Sequence, residues 1–195
     1  MKNILILCGK AASGKDTLKR YIVEALELSG IEFNNVVNTT TRPPREGEVD
    51  GVNYHYVTRE EFEDLKSKDG FVETNYYNNN YYGLSKKELE KGKTLSKVMY
   101  AIIDINGAYS VHNLNIPANY IAFIPPNIEA LEKRLKERGT ESEEVIQGRL
   151  NTAKEEIKRI NETDFFNYKI LNDDIDRAFA ELVDKVKVLY PKYLE

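Results

Sequence analysis

The feature that most constrains the fold of this chain is a glycine-rich loop near its amino terminus. Residues 9–16 read GKAASGKD, after an apolar run at 3–8 and before a segment whose apolar residues recur at helical spacing. A strand, a glycine-rich loop and a helix in this order form the phosphate-binding loop, where backbone N–H groups and the helix amino terminus converge on one anion. Gly9 and Gly14 allow close approach of the backbone, and Lys15 reaches the β- and γ-phosphates of a nucleotide. The sequence therefore predicts a nucleotide-phosphate site.

The residue after the lysine departs from the usual pattern of this loop. A serine or threonine is typical because its hydroxyl helps to hold Mg²⁺, whereas this chain has Asp16 and then Thr17. An aspartate can bind Mg²⁺ directly or through water, since the ion prefers oxygen ligands, and it can equally weaken phosphate binding by repulsion. The alternative for the whole stretch is a glycine-rich turn that caps a helix and binds no ligand. The predicted nucleotide-binding residues are Gly9, Ala12, Ser13, Gly14, Lys15, Asp16 and Thr17, with Asp16 as the Mg²⁺ ligand.

Strands and helices alternate along the rest of the chain. Residues 98–103 and 120–124 are continuous apolar runs, which are typical of parallel strands buried on both faces. With the phosphate loop after the first strand, this alternation predicts an α/β fold with a doubly wound parallel sheet. A length of 195 residues suits one domain with an inserted subdomain.

Charge and composition narrow the classes of partner. The net charge is −4, so no overall positive field attracts nucleic acid, and an anionic ligand has to be held by local arginines and lysines. The single cysteine excludes a disulfide within the chain, as suits a reducing compartment, and no apolar run has membrane-spanning length. We expect a cytoplasmic protein that binds neither nucleic acid nor a membrane.

Two arginines stand three residues apart in a loop that contains two prolines and two glycines. They are Arg42 and Arg45, and Tyr54 follows. Guanidinium groups match phosphate bidentately, and a tyrosine hydroxyl adds a neutral donor. The functional interpretation is one phosphate held by these three side chains, and the alternative is a solvated loop with ordinary surface arginines.

Further candidate residues follow in the second half of the chain. Asp104 ends an apolar strand, and ligands of open α/β sheets bind at the carboxyl ends of strands, although an aspartate there can also simply cap the next helix. Arg134, Arg138 and Arg149 surround a predicted helical hairpin. They form either a lid that closes over phosphate or a solvated face. His55 and His112 have no neighbour at metal-ligand spacing, so we assign neither a ligand nor a catalytic role.

Together these motifs resemble guanylate kinase. The phosphate loop is followed, in family order and spacing, by TTRPPREGE at 40–48, FVE at 71–73, YYG at 81–83, DING at 104–107, RGT at 138–140 and NDD at 172–174. The resemblance runs nearly end to end, and about four extra residues around 93–97 are the clear exception.

The resemblance implies an organisation and an activity. A single domain at 1–195 would comprise a core (1–32, 97–125 and 161–195), a mixed α/β subdomain that binds the nucleoside monophosphate (NMP; about 33–96) and a helical lid (about 126–160). The implied reaction is ATP- and Mg²⁺-dependent phosphorylation of GMP, and of dGMP, to the diphosphate by in-line phosphoryl transfer. The implied assembly is a monomer or a weak homodimer.

The resemblance also implies a role for each site residue. The acceptor phosphate would be held by Arg42, Arg45, Tyr54 and Tyr82. The guanine base would be contacted by Asn38, Glu73 and Asp104. The transferring phosphoryl group would be stabilised by Lys15, Arg134, Arg138 and Arg149. Asn172 would lie near the adenine of ATP.

Three positions depart from the family pattern and keep alternatives open. Asp16 replaces a small or hydroxyl residue, Asn38 replaces a serine, and Leu84 replaces a serine or threonine that contacts guanine in the family. One alternative is an enzyme similar to ribose 1,5-bisphosphate phosphokinase, whose phosphate loop also carries an aspartate after the lysine. A lower-ranked alternative is a non-catalytic binding module of guanylate-kinase-like fold. The sequence leaves the choice between GMP and dGMP, the oligomeric state and the biological setting open.

Overall fold

The first strand lies at the centre of the main sheet of this protein. The structure is a computed structural model that describes residues 3–9, 15–77, 79–94, 98–138 and 142–194; the side chains at 15–19, 77, 92–94 and 138 lie outside the description. The elements in chain order are β1 (Ile4–Cys8), α1 (Lys15–Leu28), β2 (Phe33–Asn35), β3 (Thr39–Thr40), β4 (His55–Tyr56), α2 (Arg59–Ser67), β5 (Phe71–Tyr77), β6 (Asn80–Ser85), α3 (Lys86–Thr94), β7 (Val98–Ile103), α4 (Ile105–Asn113), β8 (Asn119–Ile124), α5 (Ile128–Arg138), α6 (Glu143–Glu162), β9 (Tyr168–Leu171) and α7 (Ile175–Leu189), with a short 3₁₀ turn at Pro191–Tyr193.

Five strands form the main sheet in the order β2-β7-β1-β8-β9, and every neighbouring pair is parallel. Each connection within this sheet passes through at least one helix, as parallel strands require. The predicted α/β fold with a parallel sheet is confirmed. β2 pairs with β7, so residues 33–35 belong to this sheet although they fall inside the range expected for the inserted subdomain.

The two faces of β1 belong to two different hydrophobic cores. Ile4, Ile6 and Cys8 pack in a cluster with residues of α4 and α6, whereas Leu5 and Leu7 pack in a cluster with residues of α1 and α7. This division follows from the alternation of side chains along a strand. Helices therefore cover both faces of the sheet, which is the doubly wound arrangement expected from the sequence.

A second, smaller sheet is built from residues between β2 and α3. Its strand order is β4-β3-β6-β5, with β3 and β4 parallel and the other pairs antiparallel. One face is covered by α2, whose buried Phe62 stacks on Phe71 and Tyr81 at ring-centroid distances of 4.5 and 5.2 Å. Thr58 and Glu61 form a capping box at the start of α2, which fixes where the helix begins.

The helices α5 and α6 form a hairpin with a small core of its own. Its buried residues are Leu131, Leu135, Ile146, Leu150 and Ala153. Asn127 Oδ1 accepts from the backbone N–H of Ala130 at 2.7 Å and so caps the start of α5. In the ranges given above, no helix combines the length and the apolar composition that crossing a bilayer requires.

Candidate active site

The predicted phosphate loop lies at the carboxyl end of β1. Gly9 packs against Phe123, and a Cβ added at Gly9 would stand 3.0 Å from the Phe123 Cβ. Lys15 opens α1, so Lys15, Asp16 and Thr17 belong to its first turn, the position that exposes helix N–H groups to an anion. Ala12, Ser13 and Gly14 lie outside the described residues, as do the side chains at 15–17.

Charged side chains from three elements converge near this end of β1. Burial raises the pKa of the Cys8 thiol; the carboxylates of Glu156, Asp104 and Glu73 raise it further, and the Arg159 guanidinium opposes them. Arg159 donates to Asn106 Oδ1 at 2.7 Å and lies 4.8 Å from the ring centroid of Tyr109. Sequence reasoning missed Glu156 and Arg159, whose one signal was a spacing of three on α6.

The predicted acceptor-phosphate residues gather around one arginine. The Arg42 side chain is only 13% exposed, and its guanidinium carbon lies 5.5 Å from the ring centroid of Tyr54. The rings of Tyr54 and Tyr82 meet edge to face at a centroid distance of 6.0 Å. The hydrogen bond to Glu48 raises the pKa of Arg42, and a hydrogen bond with Tyr82 adds to the rise. The Arg45 side chain is exposed, and its backbone N–H joins the same cluster.

The cluster contains a carboxylate that sequence reasoning missed. Glu48 accepts hydrogen bonds from Arg42 Nη2 (2.9 Å), from the backbone N–H of Arg45 (2.7 Å) and from the hydroxyl of Tyr56 (2.8 Å). The bond from Arg42, followed by that from Arg45, lowers the pKa of Glu48 to about 2. The turn that brings Glu48 back to Arg45 includes Gly47 at a φ of +81°, a conformation that favours glycine.

Two carboxylates stand at the amino terminus of α4. Asp104 is 8% exposed, and its Oδ1 accepts from the backbone N–H of Gly107 at 3.0 Å, so it caps the helix as one of the two interpretations predicted. Its Oδ2 lies 3.5 Å from Asn75 Nδ2. The Glu73 carboxylate lies against Gly107, where an added Cβ would stand 2.7–2.9 Å from carboxylate atoms. Gly107 thus makes room for Glu73, a role that the DING motif alone does not reveal.

Two of the three positions that depart from the family pattern belong to the small sheet or border it: Asn38 directly precedes β3, and Leu84 lies in β6. Asn38 has a buried Oδ1 that meets no hydrogen-bond partner within the described part of the chain. Leu84 stands opposite Glu73 in the register of β5 and β6 and is 1% exposed, inside the core cluster that includes Ile4 and Ile6. Leu84 therefore fills core volume and offers no polar group.

One predicted lid arginine contacts the predicted adenine loop. Arg134 Nη2 donates to the backbone carbonyls of Asn172 (3.2 Å) and Asp173 (3.3 Å). Asn172 is 5% exposed, and its backbone N–H donates to the Ile124 carbonyl at 2.7 Å. Arg149 is half-buried on α6, and the Arg138 side chain lies outside the description. The structure thus brings Arg134 and Asn172 together.

One histidine has a contact that the sequence did not reveal. His55 Nε2 lies 3.0 Å from Glu88 Oε1, and Lys91 also bonds to that carboxylate. Burial raises the pKa of Glu88, but the hydrogen bonds from Lys91 and His55 outweigh burial and leave the pKa lowered. Metal-ligand spacing could not reveal this pair, because the two residues stand 33 positions apart.

Metal-ligating side chains do not cluster in the described part of the chain. Among the residues with described side chains, no group of three or more His, Cys, Asp and Glu could hold a metal ion. Asp16, the predicted Mg²⁺ ligand, is not among them.

Comparison with known proteins points to one family throughout. A family model described as guanylate kinase matches residues 1–188. The chain is 37% identical over 178 residues to guanylate kinase of Schizosaccharomyces pombe, covering 91% of this chain and 87% of that protein. It is 40% identical over 181 residues to guanylate kinase of Shewanella violacea, covering 93% of this chain and 84% of that protein. The crystal structure of guanylate kinase from Anaplasma phagocytophilum matches with a TM-score of 0.64 and 27% identity, over 98% of this chain and 86% of that one.

Proposed function

The chain belongs to the guanylate kinase family, and we infer from that premise that it transfers the γ-phosphoryl group of ATP to GMP, producing GDP. It is a nucleoside monophosphate kinase that uses ATP with Mg²⁺. One structural observation carries the assignment of the acceptor site. A cationic cluster around Arg42 and a pair of carboxylates at α4 are linked by β5 and β6, which suits a ligand with a phosphate at one end and N–H donors at the other.

We propose that the cationic cluster holds the acceptor's phosphate. Its members are Arg42, Arg45, Tyr54 and Tyr82, which together supply guanidinium and hydroxyl donors. Glu73 and Asp104 accept hydrogen bonds from the N–H groups of guanine, and Asn38 supplies an amide beside the base. Because a carboxylate can only accept, this pair favours guanine over adenine, whose N1 is itself an acceptor. dGMP is proposed as a second acceptor.

The donor half of the site rests on the phosphate loop. We propose that ATP phosphates bind along Gly9, Ala12, Ser13, Gly14, Lys15, Asp16 and Thr17, with Asn172 near the adenine. Asp16 is the proposed protein ligand of Mg²⁺, which would neutralise charge on the donor phosphates. Phosphoryl transfer needs alignment, exclusion of water and positive charge more than covalent chemistry. Lys15, Arg134, Arg138 and Arg149 are the proposed sources of that charge, and no general base is required.

We propose that the chain works as three moving parts. The core (1–32, 97–125 and 161–195), the NMP-binding subdomain (about 33–96) and the lid (about 126–160) would close around the two nucleotides, as phosphotransferases do to exclude water. Because β2 pairs with β7 and the Val36 N–H donates to the Tyr100 carbonyl at 2.7 Å, we propose that the hinge on that side lies after Val36. We propose that the protein is a monomer or a weak homodimer. We also propose that it is cytoplasmic and binds no nucleic acid.

The two alternatives predicted from the sequence lack such support. Every relative described above is a guanylate kinase, so neither a ribose 1,5-bisphosphate kinase nor a non-catalytic module is favoured.

The decisive experiment measures ADP release from ATP and Mg²⁺ with a panel of acceptors. The panel contains GMP, dGMP, AMP, CMP, UMP and ribose 1,5-bisphosphate. We expect turnover with GMP and dGMP, and we expect the Lys15→Ala variant to lose turnover by orders of magnitude while it still folds. Turnover with ribose 1,5-bisphosphate alone would contradict the proposal and favour the sugar phosphate alternative.

A further inference from the structure

One face of the small sheet joins the two ends of the proposed acceptor site. Glu73 and Asn75 are two residues apart on β5, so their side chains point to the same face. In the register of the β5–β6 pair, Leu84 stands opposite Glu73 and Tyr82 stands opposite Asn75. We call the face that carries Glu73, Asn75, Tyr82 and Leu84 the acceptor face.

Contacts on the acceptor face place Asn75 between the phosphate end and the base end. Tyr82 contacts Tyr54, another member of the cationic cluster, at a ring-centroid distance of 6.0 Å. Asn75 Nδ2 lies 3.5 Å from Asp104 Oδ2. Directly opposed side chains on antiparallel strands have Cβ atoms about 4.5–5.5 Å apart, so Asn75 neighbours Tyr82 and Asp104 together.

The chemistry of guanine leaves one requirement that the two carboxylates cannot meet. Glu73 and Asp104 accept hydrogen bonds, and so they suit the N–H groups of guanine. The O6 and N7 atoms of guanine are acceptors and require a donor from the protein. Leu84 provides none, because it is a buried apolar side chain.

Asn75 has the group that this requirement calls for. Its amide carries two N–H donors, and the contact of 3.5 Å with Asp104 is at the long limit of a hydrogen bond. The residue is exposed, so a ligand on the acceptor face can reach it. Asn38 is the other amide proposed to lie near the base, but its Oδ1 atom is buried.

We propose that Asn75 is a specificity-determining residue whose amide donates a hydrogen bond to O6 of the acceptor's guanine. The proposal rests on the proposed function, because it takes GMP to be the ligand. Because Asp104 Oδ2 can only accept, its contact with Asn75 Nδ2 orients the amide with its donor end toward this site. That orientation favours a 6-oxo purine over a 6-amino purine, whose exocyclic group is itself a donor. Asn75 therefore adds to the selectivity that the carboxylates provide.

The test compares the affinity of two nucleotides for wild type and Asn75→Ala. One nucleotide is GMP, and the other is 2-aminopurine riboside 5′-monophosphate, which keeps the 2-amino group and lacks both O6 and the N1 proton. The loss of the N1 proton weakens its binding to wild type and variant alike, so the comparison is of the change that each substitution causes. For a neutral hydrogen bond, the variant should weaken GMP binding by about 2- to 13-fold and leave the affinity for the 2-aminopurine nucleotide nearly unchanged. Thr74→Ala, on the opposite face of the same strand, is the matched control and should change neither dissociation constant. Melting curves check that both variants fold.

Two results would overturn the proposal. One is an equal loss of affinity for both nucleotides, which would mean that Asn75 acts through Asp104 or through the backbone. The other is an O6-dependent loss that appears with Asn38→Ala and not with Asn75→Ala. Because the measurement is of binding, it remains valid if the wild-type protein binds GMP without turning it over, a result that would contradict the proposed function alone. Failure of the wild type to bind GMP would contradict both.

Discussion

At the scale of single residues, the cluster around Arg42, which we propose binds the acceptor phosphate, already contains a carboxylate. Glu48 is bound by Arg42, by the Arg45 backbone and by Tyr56, so the carboxylate fixes the direction in which the Arg42 guanidinium points. A bound phosphate would add to this arrangement through the hydroxyls of Tyr54 and Tyr82. We infer that Glu48 is a positioning residue for the acceptor phosphate.

Replacing Glu48 with glutamine should weaken the binding of GMP. The variant keeps the shape of the side chain and removes the ion pair with Arg42, so we expect the KM for GMP to rise by about two- to fivefold with little change in kcat. Steady-state kinetics on Glu48→Gln, with the exposed Glu46→Gln as the control from the same loop, measures this effect. A lower KM in Glu48→Gln would mean that Glu48 competes with the phosphate.

The pH dependence of stability gives an independent check of the same pair. The pKa of Glu48 is lowered to about 2, so the folded state holds the charged form and gains stability above the ordinary carboxyl pKa of about 4.3. The stabilisation should be constant from pH 8 to pH 5 and should disappear as the pH falls toward 2. The difference in unfolding midpoint between wild type and Glu48→Gln should follow that course.

Replacing Gly107 with alanine should change the position of the Glu73 carboxylate without lowering the stability of the fold. Alanine is the better helix former by about 1 kcal/mol, but its Cβ would stand 2.7–2.9 Å from the Glu73 carboxylate and would displace it. We expect Gly107→Ala to keep its melting temperature and to raise the KM for GMP by about 10- to 150-fold, the range for a hydrogen bond to a charged group. An unchanged KM would contradict the proposed contact between Glu73 and the guanine base. Gly148→Ala, where an added Cβ meets nothing within 4 Å, is the control.

At the scale of elements, α3 contacts β4, the short strand that directly follows Tyr54. The rings of Tyr54 and Tyr56 contact each other beside Arg42, while His55 between them contacts Glu88 of α3. The alternation of the strand therefore connects the site on one side with a buried carboxylate on the other. Glu88 is 4% exposed, so its bonds to His55 and Lys91 satisfy a charge that burial would otherwise destabilise.

Truncating Glu88 should remove the contact between α3 and His55 and so lower the stability of the fold. Glu88→Ala leaves His55 and Lys91 without the carboxylate, and we expect a loss of about 1–3 kcal/mol in the free energy of unfolding together with a higher KM for GMP. Urea denaturation and steady-state kinetics measure the two effects. The exposed neighbour Lys87→Ala should stay within about 0.5 kcal/mol of wild type. A loss of stability without any change in KM would mean that α3 supports the fold and not the site.

At the scale of the whole molecule, β1 packs into both hydrophobic cores and leads directly into the predicted phosphate loop. β1 packs against two helical layers through alternate residues and then leads into Gly9 and the loop. Damage to either layer is therefore transmitted to the strand that carries the loop. Tyr190, near the carboxyl end of the chain, adds to this by donating to the Ile4 carbonyl at 2.9 Å.

Removing one side chain from β1 should lower the stability of the whole domain. Leu7 is fully buried, so Leu7→Ala should cost about 2–5 kcal/mol through lost burial and the cavity left behind. Leu28 is 62% exposed, and Leu28→Ala should stay within about 0.5 kcal/mol of wild type. Chemical denaturation of both variants tests the contrast, and equal losses would contradict the assignment of Leu7 to the core.

The fold class and the family follow from the amino-acid sequence alone, and the sequence also predicts which residues compose the site. The phosphate loop, the alternation of strands and helices, and the capping residue Thr58 are local patterns, because each depends on residues within a few positions of one another. The arginine loop and Asp104 were also predicted, since their chemistry and their place at strand ends can be read from the chain.

Which side chains come into contact depends on the tertiary structure. The bond from Arg42 to Glu48, the fit of Glu73 against Gly107, the pairing of His55 with Glu88 and the approach of Asn75 to Asp104 all depend on strand register, on tight turns and on the docking of helices against sheets. These arrangements arise because burying apolar side chains on both faces of β1 and beneath the small sheet selects one packing. The polar contacts follow from that packing, and no local pattern in the sequence specifies them.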